Sequence, residues 1–119
     1  MQNTSGEIAE QMAREYLVKN GIKVLDTNYR SRCGEIDIIA MDNDIIAFVE
    51  VRYRHSNAFG MAHETVGPAK RRRIIQTAQH YLQSNRKFSN HAARFDLLCL
   101  DGDLDQANFQ WFKSAFMAS

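Results

Sequence analysis

The sequence predicts a mixed α/β domain in which two amphipathic helices pack on one sheet. Three observations carry that expectation. Two segments repeat apolar residues at helical spacing, a pair of β-branched and aromatic-rich runs at the centre is broken by turn residues, and two further candidate strands about a turn at Asp101-Gly102 close the chain. With 119 residues the chain fits a single domain, 1–119, large enough to bury a core. Hydrophobic residues at 45% and charged residues at 24% give an ordinary globular balance, which argues against disorder.

Each element has its own local reason. Thr4 followed by Glu7 reads as a capping box. The helix it opens carries Ile8, Ala9, Met12, Ala13, Tyr16 and Leu17 on one side, and Asn20-Gly21 stops it. Ile22 to Leu25 is a short candidate strand entering a turn near Asp26 to Asn28. Glu35 to Met41 and Ile45 to Tyr53 form a hairpin about Asp42, Asn43 and Asp44. A polar stretch from His55 to Gly67 precedes Pro68, which suits the first turn of a helix. That helix repeats Ile74, Ile75, Ala78, Tyr81 and Leu82. Arg94 to Leu100, a turn at Asp101-Gly102 and a strand over Ala107 to Phe112 complete the order α-β-β-β-α-β-β.

Composition excludes several classes of function. A net charge of +1 predicts no acidic partner from the whole-molecule field, so any nucleic-acid surface must come from local clustering. Cys33 and Cys99 are far apart with no CxxC companion, and are expected to be reduced thiols of a cytoplasmic protein. The four histidines show no zinc spacing. The polar N-terminus is no signal peptide, and no apolar run approaches the roughly 20 residues that span a bilayer, so no membrane association is expected.

Strand alternation tests the hairpin for chemistry. Ile45, Ala47, Val49, Val51 and Tyr53 share an apolar face, while Ile46, Phe48, Glu50, Arg52 and Arg54 run from apolar to charged on the other. Glu35, Asp37 and Ile39 share one face of the preceding strand. A two-residue loop at Asp42-Asn43 would set Asp37 opposite Phe48 and one diagonal step, roughly 7 Å, from Glu50. Two carboxylates at that separation can share one Mg²⁺, which takes hard oxygen ligands and keeps several waters. A plain ion-pair network on a solvated sheet face is the competing reading. Against it, the positions around Glu50 look buried on both faces, where a carboxylate needs a cation or a partner.

Gly34-Glu35-Ile36-Asp37 followed by Phe48-Val49-Glu50-Val51-Arg52 resembles the GEIDLI…FVEVK core of the YraN-type family of predicted endonucleases. The resemblance extends to Gly6, Glu10, Ala13, Tyr16-Leu17 and Gly21 in the first helix, and to Asn28 and Arg30 before the GEID motif. Beyond the second motif it takes in Phe59-Gly60, Lys70, Ala78, Tyr81-Leu82, Arg94-Phe95-Asp96 and Ala115-Phe116. It implies a restriction-endonuclease-like, PD-(D/E)xK fold, distantly related to archaeal Holliday-junction resolvases. It also implies a Mg²⁺- or Mn²⁺-dependent nuclease, or a nuclease-derived protein, acting on structured or branched DNA. Carried over residue by residue, Asp37 and Glu50 are the implied metal ligands, with Glu10 a third acid at the edge of the first helix's apolar stripe. Kinship with resolvases would favour a homodimer, since a four-way junction has two-fold symmetry, but no interface is legible in the sequence.

The chain departs from the pattern twice. Ala9 replaces the glycine before the helix glutamate, and Arg52 replaces the lysine of EVK. Arginine keeps the charge and can grip phosphate bidentately, but it gives up no proton at any ordinary pH. Arg52 would then serve as an electrostatic catalytic residue, with Lys70 a relocated lysine as the other way to fill the role. Lys70, Arg71, Arg72 and Arg73, with Arg30, Arg32 and Arg54, are candidate phosphate contacts, although a solvated helix face is the usual meaning of such a run. Tyr29, Tyr53 and Phe59 lie among them as candidates for base stacking or simple packing. Two other functions fit the same residues: a non-catalytic nucleic-acid-binding protein that retains the fold, and a protein-interaction module.

Overall fold

A computed structural model describes residues 4–55 and 66–118. The order is α1 (Ser5–Lys19), β1 (Lys23–Ser31), β2 (Gly34–Asp42), β3 (Ile45–Arg54), α2 (Pro68–Ser84), β4 (Ala92–Asp101) and β5 (Asn108–Phe116). Short 3₁₀ turns at Arg86–Phe88 and Leu104–Gln106 lead into β4 and β5. The strands form one five-stranded sheet in the order β1-β2-β3-β4-β5. Only β3 and β4 run parallel, joined across the sheet by α2; the other neighbours are antiparallel. This is the mixed α/β architecture expected from the sequence.

The two helices divide the core. Ala9, Ala13 and Leu17 of α1 pack with Ile38, Ala40, Ala47, Val49, Leu98 and Leu100 on one face. Ile74, Ala78 and Tyr81 of α2 pack with Ile39, Ile46, Phe48, Phe95, Leu97 and Cys99 on the other. Residues Ile46 to Glu50 of β3 are therefore buried without interruption, as a strand covered on both faces must be. The Thr4 capping box forms, with the Glu7 amide donating to Thr4 Oγ1 and the Thr4 amide donating to Glu7 Oε1. Pro68 occupies the first turn of α2.

The structure corrects two boundaries. The turn expected near Asp26 to Asn28 is instead a β-bulge inside a nine-residue β1: its pairing with β2 slips between Val24 and Asp26. Polar, turn-forming side chains there mark an irregular strand, and the true turn falls at residues 32–33. The β2–β3 loop is Asn43-Asp44 rather than Asp42-Asn43, because Asp42 pairs with Ile45. Asn43 takes the left-handed φ of 54° that a tight hairpin demands and asparagine tolerates.

Asp96 anchors the far side of the sheet and is completely buried. Its carboxylate accepts from Arg94 Nε at 3.0 Å, Trp111 Nε1 at 3.0 Å and the Ser114 amide at 3.0 Å. Arg94 in turn donates to Asp42 at 2.8 Å, and its guanidinium holds Asp42 below the usual carboxylate range. This fully bonded setting gives Asp96 a structural role. Asp96→Ala would leave Trp111 Nε1 and the Ser114 amide without their acceptor and Arg94 with Asp42 alone, a change that costs about 3–5 kcal/mol. Urea unfolding should show a loss of that order; a change below about 1 kcal/mol would contradict this account of the network.

Candidate functional site

Asp37 and Glu50 meet where β2 leaves β3. The ladder between these strands runs from Asp42↔Ile45 to Ile38↔Val49 and ends there. One step further the register brings Asp37 level with Glu50, not diagonal to it as a loop at Asp42-Asn43 would imply. The even loop length preserves the pairing parity, but regular alternation does not continue through β2. Ile36 packs with Ile39 in the α2-side cluster, whereas strict alternation would set it beside Ile38 on the α1 side. Across this break the Asp37 carboxyl takes over from the backbone: Oδ2 accepts from the Val51 amide at 2.8 Å.

The two carboxyls share a hydrogen bond, and burial together with the charge of Glu50 pushes Asp37 up to about 8. Burial is the larger cause, and only the Val51 amide opposes it appreciably. Glu50 itself is 7% exposed and forms an ion pair with the ammonium of Lys70. Gly34, Glu35, Asp37, Glu50, Lys70, Arg73 and Ile74 line a cleft of about 150 Å³ at this point.

The cleft has a constructed wall. Gly34, with φ at 155°, lies so near α2 that a Cβ would come within 3.3 Å of Arg73 Cβ. Thr77 Oγ1 donates to the Arg73 carbonyl at 2.8 Å and accepts from Ser31 Oγ at 3.3 Å, tying the β1–β2 turn to α2. These small residues let the hairpin and helix close around the acids.

The remaining candidates separate. Lys70 and Arg73, three residues apart on α2, both reach the cleft, whereas Arg71 and Arg72 line a different surface depression with Pro68, Ile75 and Met117. Glu10 is partly buried on α1, and its carboxyl is raised by burial and by the charge of Glu35, while a hydrogen bond from Asn28 opposes this. Among the described residues no group of three His, Cys, Asp or Glu side chains forms a ready-made metal cluster. Glu10 therefore acts on Asp37 at longer range. Arg52 pairs in register with Cys99 on β4 and lies outside the lining of the cleft. Arg30 bridges Glu35 at 3.4 Å, and Arg54 and Arg32 are exposed.

Tyr29 and Tyr53 are tied into the fold. Tyr29 Oη lies 2.5 Å from His80 Nδ1, and Tyr53 Oη donates to the Gly102 carbonyl at 2.9 Å. Phe59 and Gly60 lie outside the described residues. Cys33 and Cys99 form no disulfide among the described residues. Sequence reasoning missed the Ser31–Thr77 tie, and it did not separate Arg73 from Arg71 and Arg72. The i, i+3 spacing of Lys70 and Arg73 on a helix whose apolar face is legible was the available signal for that separation.

The chain thus presents a mixed α/β domain with an acid pair and a lysine at one small polar cleft. It belongs to the family described as Uncharacterised protein family UPF0102, whose sequence profile it matches over residues 9–100. A UPF0102 protein of Nitrosococcus oceani is 41% identical over 111 residues, covering 93% of this chain and 90% of its own. One from Syntrophus aciditrophicus is 42% identical over 112 residues, with 94% and 87% covered. One from Stutzerimonas stutzeri is 35% identical over 113 residues, with 95% and 94% covered. No helix among the described residues is long and apolar enough to cross a membrane.

The perturbed Asp37 carboxyl makes a signed prediction. Its folded value of about 8 lies above the ordinary 3.8, so the folded state holds a proton that the unfolded chain releases. Metal-free stability should therefore be greatest at low pH with respect to this group and fall as pH rises from about 4 to about 8. Asp37→Asn should remove that decline and raise the thermal midpoint at pH 8. An unchanged pH profile in the variant would contradict the assignment. Gly34→Ala should destabilise by about 1–3 kcal/mol, since a side chain at that φ is strained and meets Arg73. A thermal melt that matches the natural protein would contradict the close packing.

Proposed function

We propose that this protein is a divalent-metal-dependent nuclease of the restriction-endonuclease-like, PD-(D/E)xK class, acting on structured or branched DNA. The observation that carries the reading is the contact of two carboxyls from separate strands, with a lysine ammonium against one of them. The sequence resemblance supports the same class, since Asp37 and Glu50 are the acids of its two motifs.

The donor set fits Mg²⁺ or Mn²⁺. Both acids offer hard oxygen atoms, and a cation would offset the burial and like charge that keep Asp37 protonated. Once bound, a divalent ion supplies neutralisation of phosphate charge and a more acidic water. The chain's own groups supply the rest. Asp37 and Glu50 hold the site at the strand ends, and Asp37 must lose its proton for both to serve. Lys70, its side chain 47% exposed, can turn its ammonium from Glu50 to a phosphate oxygen. Arg73 at the rim offers a planar fork suited to a neighbouring phosphate.

This geometry favours Lys70 over Arg52 for the part that the sequence motif assigns to a lysine. An ammonium can exchange a proton when its environment lowers its pKa, and a guanidinium cannot. Lys70→Ala should lower Mg²⁺-dependent cleavage of branched DNA by about 10²–10⁴-fold, the usual worth of a proton-transfer group. Arg52→Lys should change it only a few-fold. A hundredfold gain from Arg52→Lys, with Lys70→Ala neutral, would return the role to position 52. Absence of cleavage in every form, with salt-dependent DNA binding intact, would favour the non-catalytic nucleic-acid-binding protein. Absence of binding too would favour a protein-interaction module.

The division of the basic run gives a second test. Arg73→Ala should weaken DNA binding and reduce its salt slope by about one. Arg71→Ala and Arg72→Ala, on the other depression, should leave the slope nearly unchanged. The reverse pattern in fluorescence anisotropy would place the phosphate track away from the cleft.

A further inference from the structure

Each acid that lines the cleft has a partner within the chain, but the partners are unequal. Glu35 meets the Arg30 guanidinium at 3.4 Å, Asp37 accepts the Val51 amide at 2.8 Å, and Glu50 is ion-paired with Lys70. The Arg30–Glu35 bridge lies in solvent, where such a pair contributes little. Glu50 is 7% exposed, so its charge depends on a cation beside it. Lys70 is bound less firmly to that place. It rises from the first turn of α2 on a flexible four-carbon stem, and nearly half of its side chain is in solvent. Its ammonium can therefore leave Glu50 by side-chain rotation, with the helix unmoved. Arg73, one turn along α2, lines the same cleft, is exposed, and forms no ion pair among the described residues.

We propose that Lys70 couples the two ligands of this cleft. Its ammonium holds the cation position at Glu50 until a phosphate draws it away, so a divalent cation and a nucleic-acid phosphate bind more tightly together than either does alone. This rests on the metal-binding reading of the acid pair. An ammonium and a divalent ion repel one another, and Glu50 offers them a single negative charge. Without phosphate, each cation therefore binds only by displacing the other. A phosphate at the rim changes the balance, because it gives the ammonium a second anionic acceptor and gives the Arg73 fork another. Once Lys70 turns to it, the buried Glu50 is left to the metal. Linkage makes the effect reciprocal: a cation at Glu50 releases Lys70, which then strengthens the hold on phosphate by the same factor. The protein thus binds free divalent ions weakly and completes its metal site on nucleic acid.

The test uses the full chain, with thermal melts as the control for folding. In titration calorimetry without nucleic acid, Lys70→Met should bind Mn²⁺ about tenfold more tightly than the natural protein. Lys70→Arg, which keeps the competing charge, should bind it no more tightly. If Lys70→Met melts early, Lys70→Gln must show the same gain. Fluorescence anisotropy then follows a labelled four-way DNA junction with and without Ca²⁺, an ion of the same oxygen preference. Ca²⁺ should strengthen junction binding more in the natural protein than in Lys70→Met, by about five- to a hundredfold. Equal Mn²⁺ affinity in the natural protein and the methionine variant, or an equal gain from Ca²⁺ in both, would overturn the proposal. Asp37→Asn separates the proposal from the reading beneath it. If it abolishes Mn²⁺ binding while Lys70→Met leaves binding unchanged, the acid pair is the site and Lys70 couples nothing. If Asp37→Asn binds Mn²⁺ as the natural protein does, the metal-binding reading fails and the coupling fails with it.

Discussion

Where β2 parts from β3, the Asp37 carboxyl accepts the Val51 amide, and the rest of the site follows from that contact. The ladder ends at Ile38 and Val49, so a part-buried strand amide beyond it needs an acceptor. By supplying one, Asp37 keeps β3 ordered while freeing it from its neighbour. Glu50 occupies the position that this separation opens, on a strand otherwise covered by both helices. The acid pair thus arises from how the sheet comes apart, and it is held by the same core that holds the sheet together.

An acid pair in that setting calls for positive charge, and the fold supplies it from α2. Gly34 permits the close approach of the helix, and the Ser31–Thr77 tie fixes it. Lys70 and Arg73 then face the cleft because they lie three residues apart, on the side of α2 that also carries Ile74 and Thr77. The opposite anchor of the sheet, Asp96 with Arg94, Trp111 and Ser114, shows what a satisfied buried carboxylate looks like. Asp96 has donors on every side. Asp37 has one amide and another acid, and the metal-binding proposal rests on that imbalance.

Much of this was legible in the sequence for identifiable reasons. Helical spacing about Ala13 and Ala78, the Thr4 capping box and the Pro68 start are local signals, and they fixed both helices. The parity of the hairpin joined Asp37 to Glu50 even though the loop was assigned one residue early, since either assignment leaves two residues in the loop. What escaped depends on contacts between distant segments. The bulge in β1 was read as a turn because Asp26, Thr27 and Asn28 carry turn chemistry in both settings. The break in alternation at Ile36 has no local signature. The division of Lys70 and Arg73 from Arg71 and Arg72 depends on which side of α2 the hairpin meets, and the place of Arg52 outside the cleft lining likewise depends on how the strands assemble.

The most direct measurement is a crystal structure of the protein grown with Mn²⁺, with anomalous difference density recorded at the manganese edge. The account predicts a peak bounded by Asp37 and Glu50, with the Lys70 ammonium moved off Glu50. A fully occupied peak elsewhere, with Lys70 still paired to Glu50 and Asp37 still bonded to its neighbour, would contradict it.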